Sequence, residues 1–111
     1  MAFDEGLAQR VRELLEDHPH ATAKKMFGGL GFMISGNMCV GVMGDGMVVR
    51  VGPPNYADAL SQPYAQEFDF TGKPMKGWVM VAAEGLAEDK DLAYWLGRGE
   101  QFASALMPKR F

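Results

Sequence analysis

The stretch KKMFGGLGFMISGNMCVGVMGDGMVVRV, residues 24–51, decides the fold. Leu30, Phe32 and Ile34 alternate with Gly31 and Met33, the period of two that turns one face of a strand toward a core. Ser35-Gly36-Asn37 then supplies a turn. The apolar runs Met38 to Met43 and Met47 to Val51 are joined across Gly44-Asp45-Gly46, where glycine takes the positive φ that hairpin turns demand. The expectation is a three-stranded antiparallel meander starting at Lys24, with His20 to Ala23 as a connector. In the third strand Arg50 shares a face with Val48, opposite Met47, Val49 and Val51, so one face should be partly wet.

N-terminal to this block, Leu7, Val11, Leu14 and Leu15 form the stripe of an amphipathic helix, with Asp4 as its cap and Asp17-His18-Pro19 as its end. C-terminal to it, Gly52-Pro53-Pro54 breaks the sheet and starts a short helix to about Ser61, expected to bury Tyr56, Ala59 and Leu60. Glu67 to Phe70 and Trp78 to Val81 read as two more strands around a Thr71-Gly72-Lys73-Pro74 loop. Leu92, Trp95, Leu96, Phe102, Ala103 and Leu106 then mark a long last helix, weakened at Gly97 and Gly99 by up to about 1 kcal/mol each, which signals a bend or a close contact. The expected fold is α+β, of α-β(3)-α-β(2)-α order, an antiparallel sheet with helices packed on one face. At 111 residues it is read as one domain, residues 1–111.

Composition narrows the function. Apolar residues make up 48% and charged residues 23%, which excludes a disordered or fibrous chain. The longest uncharged stretch, Met26 to Gly44, is too rich in glycine for a membrane span, and the charged N-terminus offers no signal-peptide core. With Cys39 the single cysteine, no internal disulfide is possible, and a cytoplasmic location is expected. The net charge of −3 argues against direct nucleic-acid binding by the domain alone.

No catalytic, cofactor or metal constellation emerges. Cys39, His18 and His20 are too few for a zinc site; the histidines suit a helix end, and Cys39 in an apolar strand suits a packed thiol. Gly31 and Gly36 have the spacing of a phosphate loop, but Asn37-Met38 stands where lysine and a hydroxyl residue are needed. Ile34 replaces the third glycine of a dinucleotide motif begun by Gly29 and Gly31, and Ser35, Ser61 and Ser104 lie in no nucleophile elbow. Glu67 and Asp69 would share a strand face, but an exposed one. What remains is a set of cations, Lys24, Lys25, Arg50, Lys73 and Lys76, in the sheet or its loops, with Asp45 the sole acid between Lys24 and Val51. Of the nine methionines, Met26, Met33, Met38, Met43, Met47, Met75 and Met80 lie in the sheet region and offer adaptable apolar surface.

The run Lys24-Lys25-Met26-Phe27-Gly28-Gly29-Leu30, with Phe32-Met33, Gly36-Asn37-Met38-Cys39, Val49-Arg50-Val51-Gly52 and the later block Phe70-Thr71-Gly72-Lys73-Pro74-Met75-Lys76-Gly77, resembles the N-terminal domain of the TfoX/Sxy family of competence regulators. The resemblance covers nearly the whole chain. It implies the same element order and a bacterial regulatory role, in relatives that act as transcriptional coactivators and carry a C-terminal helical domain for which this sequence has no counterpart; it supplies no catalytic residues.

The reading is a non-enzymatic regulatory module that contacts protein partners, with transcription machinery as a candidate, through the sheet face near Lys24, Lys25, Arg50, Lys73 and Lys76. No cofactor and no membrane is expected, and a homodimer stays open. The alternatives are a small-molecule sensor or enzyme with a pocket near Trp78 and Trp95, and a weak nucleic-acid binder using the same cations.

Overall fold

The computed structural model describes residues 3–26, 28–69 and 72–107. Helix α1 (Glu5–Leu15) starts where expected, because the Asp4 carboxylate accepts the Leu7 N–H at 3.1 Å. It buries Leu7, Ala8, Val11 and Leu15, while Leu14 stays 47% exposed at the margin of the stripe.

Six strands follow in two groups: β1 (Ala21–Met26), β2 (Gly29–Ile34), β3 (Asn37–Met43) and β4 (Gly46–Arg50), then β5 (Ala65–Glu67) and β6 (Trp78–Val81). They make one antiparallel sheet in the order β1-β2-β3-β4-β6-β5. The α+β class holds, but the first group has four strands where three were expected. Ala21 to Ala23 belong to a strand and not to a connector, and that strand ends at Met26, separate from the strand of Leu30 to Ile34. Gly28, at φ +75°, reverses the chain so that Met26 pairs with Gly29. The alternation of Leu30, Phe32 and Ile34 does not extend back into Ala-Thr-Ala-Lys-Lys-Met, because β1 is an edge strand whose residues are mostly exposed. The expected strand over Glu67 to Phe70 sits earlier, at β5; Phe70 falls outside the described residues.

Ser35 and Gly36 both take positive φ, 51° and 82°, in the two-residue turn that pairs Ile34 with Asn37. A bulge follows. Phe32 pairs with Val40 and Met33 with Met38, so Cys39 is the extra residue of β3. The bulge aims both Cys39 and Val40 at helix α3 (Asp89–Ala105), where Gly99 lies against them. The close contact expected of Gly97 and Gly99 is therefore made by Gly99 alone and runs to a strand; a Cβ at Gly97 would meet nothing within 4 Å.

Leu30, Phe32, Ile34, Val40, Val42, Met47, Val49, Val79 and Val81 join one core cluster with residues of α1 and α3 and with Ala59 of the short helix α2 (Tyr56–Leu60). Full burial of each aliphatic side chain contributes about 1.5–3 kcal/mol, which is why all three helices gather on this side of the sheet. Tyr56 and Leu60 are half-buried against the cluster. Asn37, only 2% exposed, satisfies its amide by donating to the Met107 carbonyl at 2.9 Å, tying β3 to the segment after α3.

Candidate functional site

The residues that alternate with the core positions face away from the helices. In the middle of this outer face Lys24, Gly31, Gly41, Val48, Met80 and Gln66 stand side by side across the strands. Val48 is fully buried yet does not belong to the helix-side cluster.

On this face methionines lie over glycines. A Cβ on Gly31 would meet Met26 Sδ at 3.1 Å, one on Gly41 Met38 Cε at 2.7 Å, one on Gly29 Met43 Cγ at 2.8 Å and one on Gly46 Met80 Sδ at 3.2 Å. At Gly31 and Gly41 the methionine is the nearest obstacle, while at Gly29 and Gly46 a backbone carbonyl oxygen lies nearer still, that of Val42 at 2.5 Å and that of Val81 at 2.8 Å. Met26, Met33, Met38, Met43 and Met80 are all half-buried, whereas Met47, on the helix side, is fully buried. The result is an apolar, unbranched and repackable surface on a rigid sheet, a composition suited to contact with a partner. Its signal in the sequence is the density of methionine and glycine through these strands.

One end of this face is polar. The Arg50 guanidinium lies 5.1 Å from the ring centre of Trp78 and 5.3 Å from that of Phe102. Partial burial lowers its pKa from the ordinary arginine value. Beside it the loop before β6 is anchored by the Gly77 carbonyl, which accepts the N–H groups of Val51 at 2.8 Å and Gly52 at 3.0 Å.

The five cations singled out in the sequence are not brought into one patch. Lys24 and Lys25 lie on edge strand β1, with Lys24 on the outer face and Lys25 on the opposite one. Arg50 belongs to β4, three strand spacings or about 14 Å across the sheet, and Lys73 and Lys76 to the loop leading to β6, the strand beyond it. Lys24, Lys25, Lys73 and Lys76 are exposed; Arg50 is stacked.

The other candidate residues take ordinary structural positions. Cys39 is fully buried, and burial, followed by the charge of Glu100, pushes its thiol up to about 12. His18 follows the end of α1, where its Nε2 lies 3.0 Å from Glu100 Oε2 of α3 and its Nδ1 accepts the His20 N–H at 3.2 Å. Among the described residues, no three His, Cys, Asp or Glu side chains are grouped as metal ligands, and Glu67 and Asp69 are exposed. Trp78 and Trp95 do not line a common pocket, since Trp78 is on the outer face and Trp95 is buried by α3 in the helix-side core. Trp95 instead borders a cleft of ≈ 220 Å³ with Tyr64 and Tyr94. Among the described residues no helix is long and apolar enough to cross a membrane.

Compared with known proteins, the chain matches the family model described as the TfoX N-terminal domain over residues 13–103, from the second half of α1 to the last turn of α3. No curated protein matches it.

Proposed function

The chain belongs to the TfoX N-terminal domain family, and from that premise we propose that it is a non-enzymatic module acting by protein contact in transcriptional regulation, in the cytoplasm. One observation carries the reading: among the described residues the three helices pack on the other face of the sheet, and the outer face carries half-buried methionines laid over glycines. Sheet faces in contact with water normally alternate toward polar residues. This one is apolar at its centre, with the cations Lys24 on edge strand β1 and Arg50 at the end of β4. A partner with an apolar patch flanked by acidic residues fits it.

The test is capture of partners from a native lysate of the protein's own source by the immobilised chain, beside a Met33→Glu/Met80→Glu variant. Both substitutions sit on the outer face, outside the helix-side core, so the variant should fold. The expected result is a partner retained by the wild type and lost by the folded variant. Identical recovery by both would remove the outer face from the account.

A further inference from the structure

The open edge of β1 is a second surface. The Ser35 N–H donates to the His20 carbonyl at 3.0 Å, which fixes the alternation of the ladder: even-numbered residues of β1 bond to β2, and Ala21, Ala23 and Lys25 direct their backbone groups outward. The Ala21 N–H is taken by the His18 carbonyl. Among the described residues no other strand pairs with this edge, so the N–H and C=O of Ala23 and Lys25 have no ladder partner. Next to them is a pocket of ≈ 220 Å³ between β1 and the C-terminal half of α1, walled by Leu15, Ala21, Ala23 and Phe32, with Arg12 and Glu16 at its rim. The small side chains of Ala21 and Ala23 leave it open.

We infer that this edge accepts an extended, acidic peptide segment of a partner protein as a seventh strand, with one apolar side chain seated in the pocket beside Ala23. A strand added here places alternate side chains on the helix side, so the residues opposite Ala23 and Lys25 lie on that side, the first against Leu15 and Phe32, while the residue between them lies along Lys24 on the outer face. Lys24, Lys25 and Arg12 enter none of the ion pairs among the described residues, against the single acid Glu16 at the rim. The same charges disfavour a second copy of this chain. Antiparallel pairing of β1 with itself through the free groups of Ala23 and Lys25 would set Lys24 of one copy directly against Lys24 of the other, and like charges across a strand pair are destabilising. The proposal concerns a different surface from the outer face and stands whether or not that reading holds.

The experiment is a ¹⁵N NMR titration of the whole chain with synthetic acetylated, amidated hexapeptides alternating Glu with Val or Leu. Two controls carry Lys in place of Glu, or N-methyl groups on alternate amides. Saturating shifts of the Ala23 and Lys25 amides are expected with the Glu peptides, with binding about tenfold or more weaker for both controls. Ala23→Pro removes an N–H that the ladder does not use, so the variant should fold and lose the same binding. The N-methylated peptides make the test independent of that variant. Absence of these shifts up to about 1 mM peptide, or equal shifts with either control, overturns the proposal. So does self-association of the peptide-free chain that Ala23→Pro abolishes, which assigns the edge to a second copy.

Discussion

Gly99 of α3 lies so close to β3 that a Cβ there would sit 2.6 Å from the Cys39 carbonyl oxygen and 3.1 Å from its Sγ. The obstacle is backbone, which cannot swing aside, so the helix itself would have to move. Gly99→Ala is therefore expected to cost about 1–2 kcal/mol even after its better helix propensity is counted. Gly97, two residues earlier and exposed, has nothing within 4 Å of its Cβ position, and Gly97→Ala should instead stabilise by about 0.5–1 kcal/mol. Urea midpoints at unchanged m measure both. Changes of the same sign would refute the close approach of α3.

Cys39 makes stability depend on alkaline pH. Its folded pKa is raised from 9.0 to about 12, so between those values the unfolded thiol has lost its proton while the folded one keeps it. The folded state then binds more protons, and stability falls as pH rises, by at most about 1.4 kcal/mol per pH unit from this group. Other groups titrate there too, so the measured quantity is the difference between the wild type and Cys39→Ala. That difference should narrow steadily above pH 9; a gap independent of pH would show a thiol that ionises freely in the fold.

The stacking of Arg50 between Trp78 and Phe102 holds the polar end of the outer face together. Removing it in Arg50→Ala should lower stability by about 1–2 kcal/mol and change the fluorescence of Trp78. An effect on binding with no effect on stability would mean that the side chain is presented to solvent rather than stacked.

The glycines of the outer face should differ in tolerance. At Gly29 a Cβ would meet the Val42 carbonyl oxygen at 2.5 Å, whereas at Gly41 the obstacle is the far end of Met38, 2.7 Å away, and the next atom is 3.7 Å away. Gly29→Ala should cost about 1–3 kcal/mol, and Gly41→Ala less than about 1 kcal/mol with a displaced Met38 methyl resonance. Thermal unfolding of the two variants side by side checks the order.

How far the sequence discloses this molecule depends on whether a feature is local. The cap at Asp4, the two turns at Ser35-Gly36 and Gly44-Asp45 and the strand Trp78–Val81 follow from near neighbours alone and are found where the sequence places them. Edge strands carry no such signature. Strand β1 has no large apolar side chain before Met26 to mark a face, so its first half reads as a connector and its second half as the start of the next strand. The cations failed to gather for a different reason: their spacing along the chain says nothing about β6 inserting between β4 and β5, which sets Lys73 and Lys76 far from Lys24. The methionines and glycines were visible, but their interlock became legible only once the register put them on one face.

The outer face is tested most directly by the methyl resonances of ¹³C-methionine-labelled protein, recorded free and with the captured partner. Contact there predicts that Met26, Met33, Met38, Met43 and Met80 shift or broaden together while Met47, fully buried on the helix side, stays unchanged. A partner that binds and leaves those five resonances where they were would contradict the account.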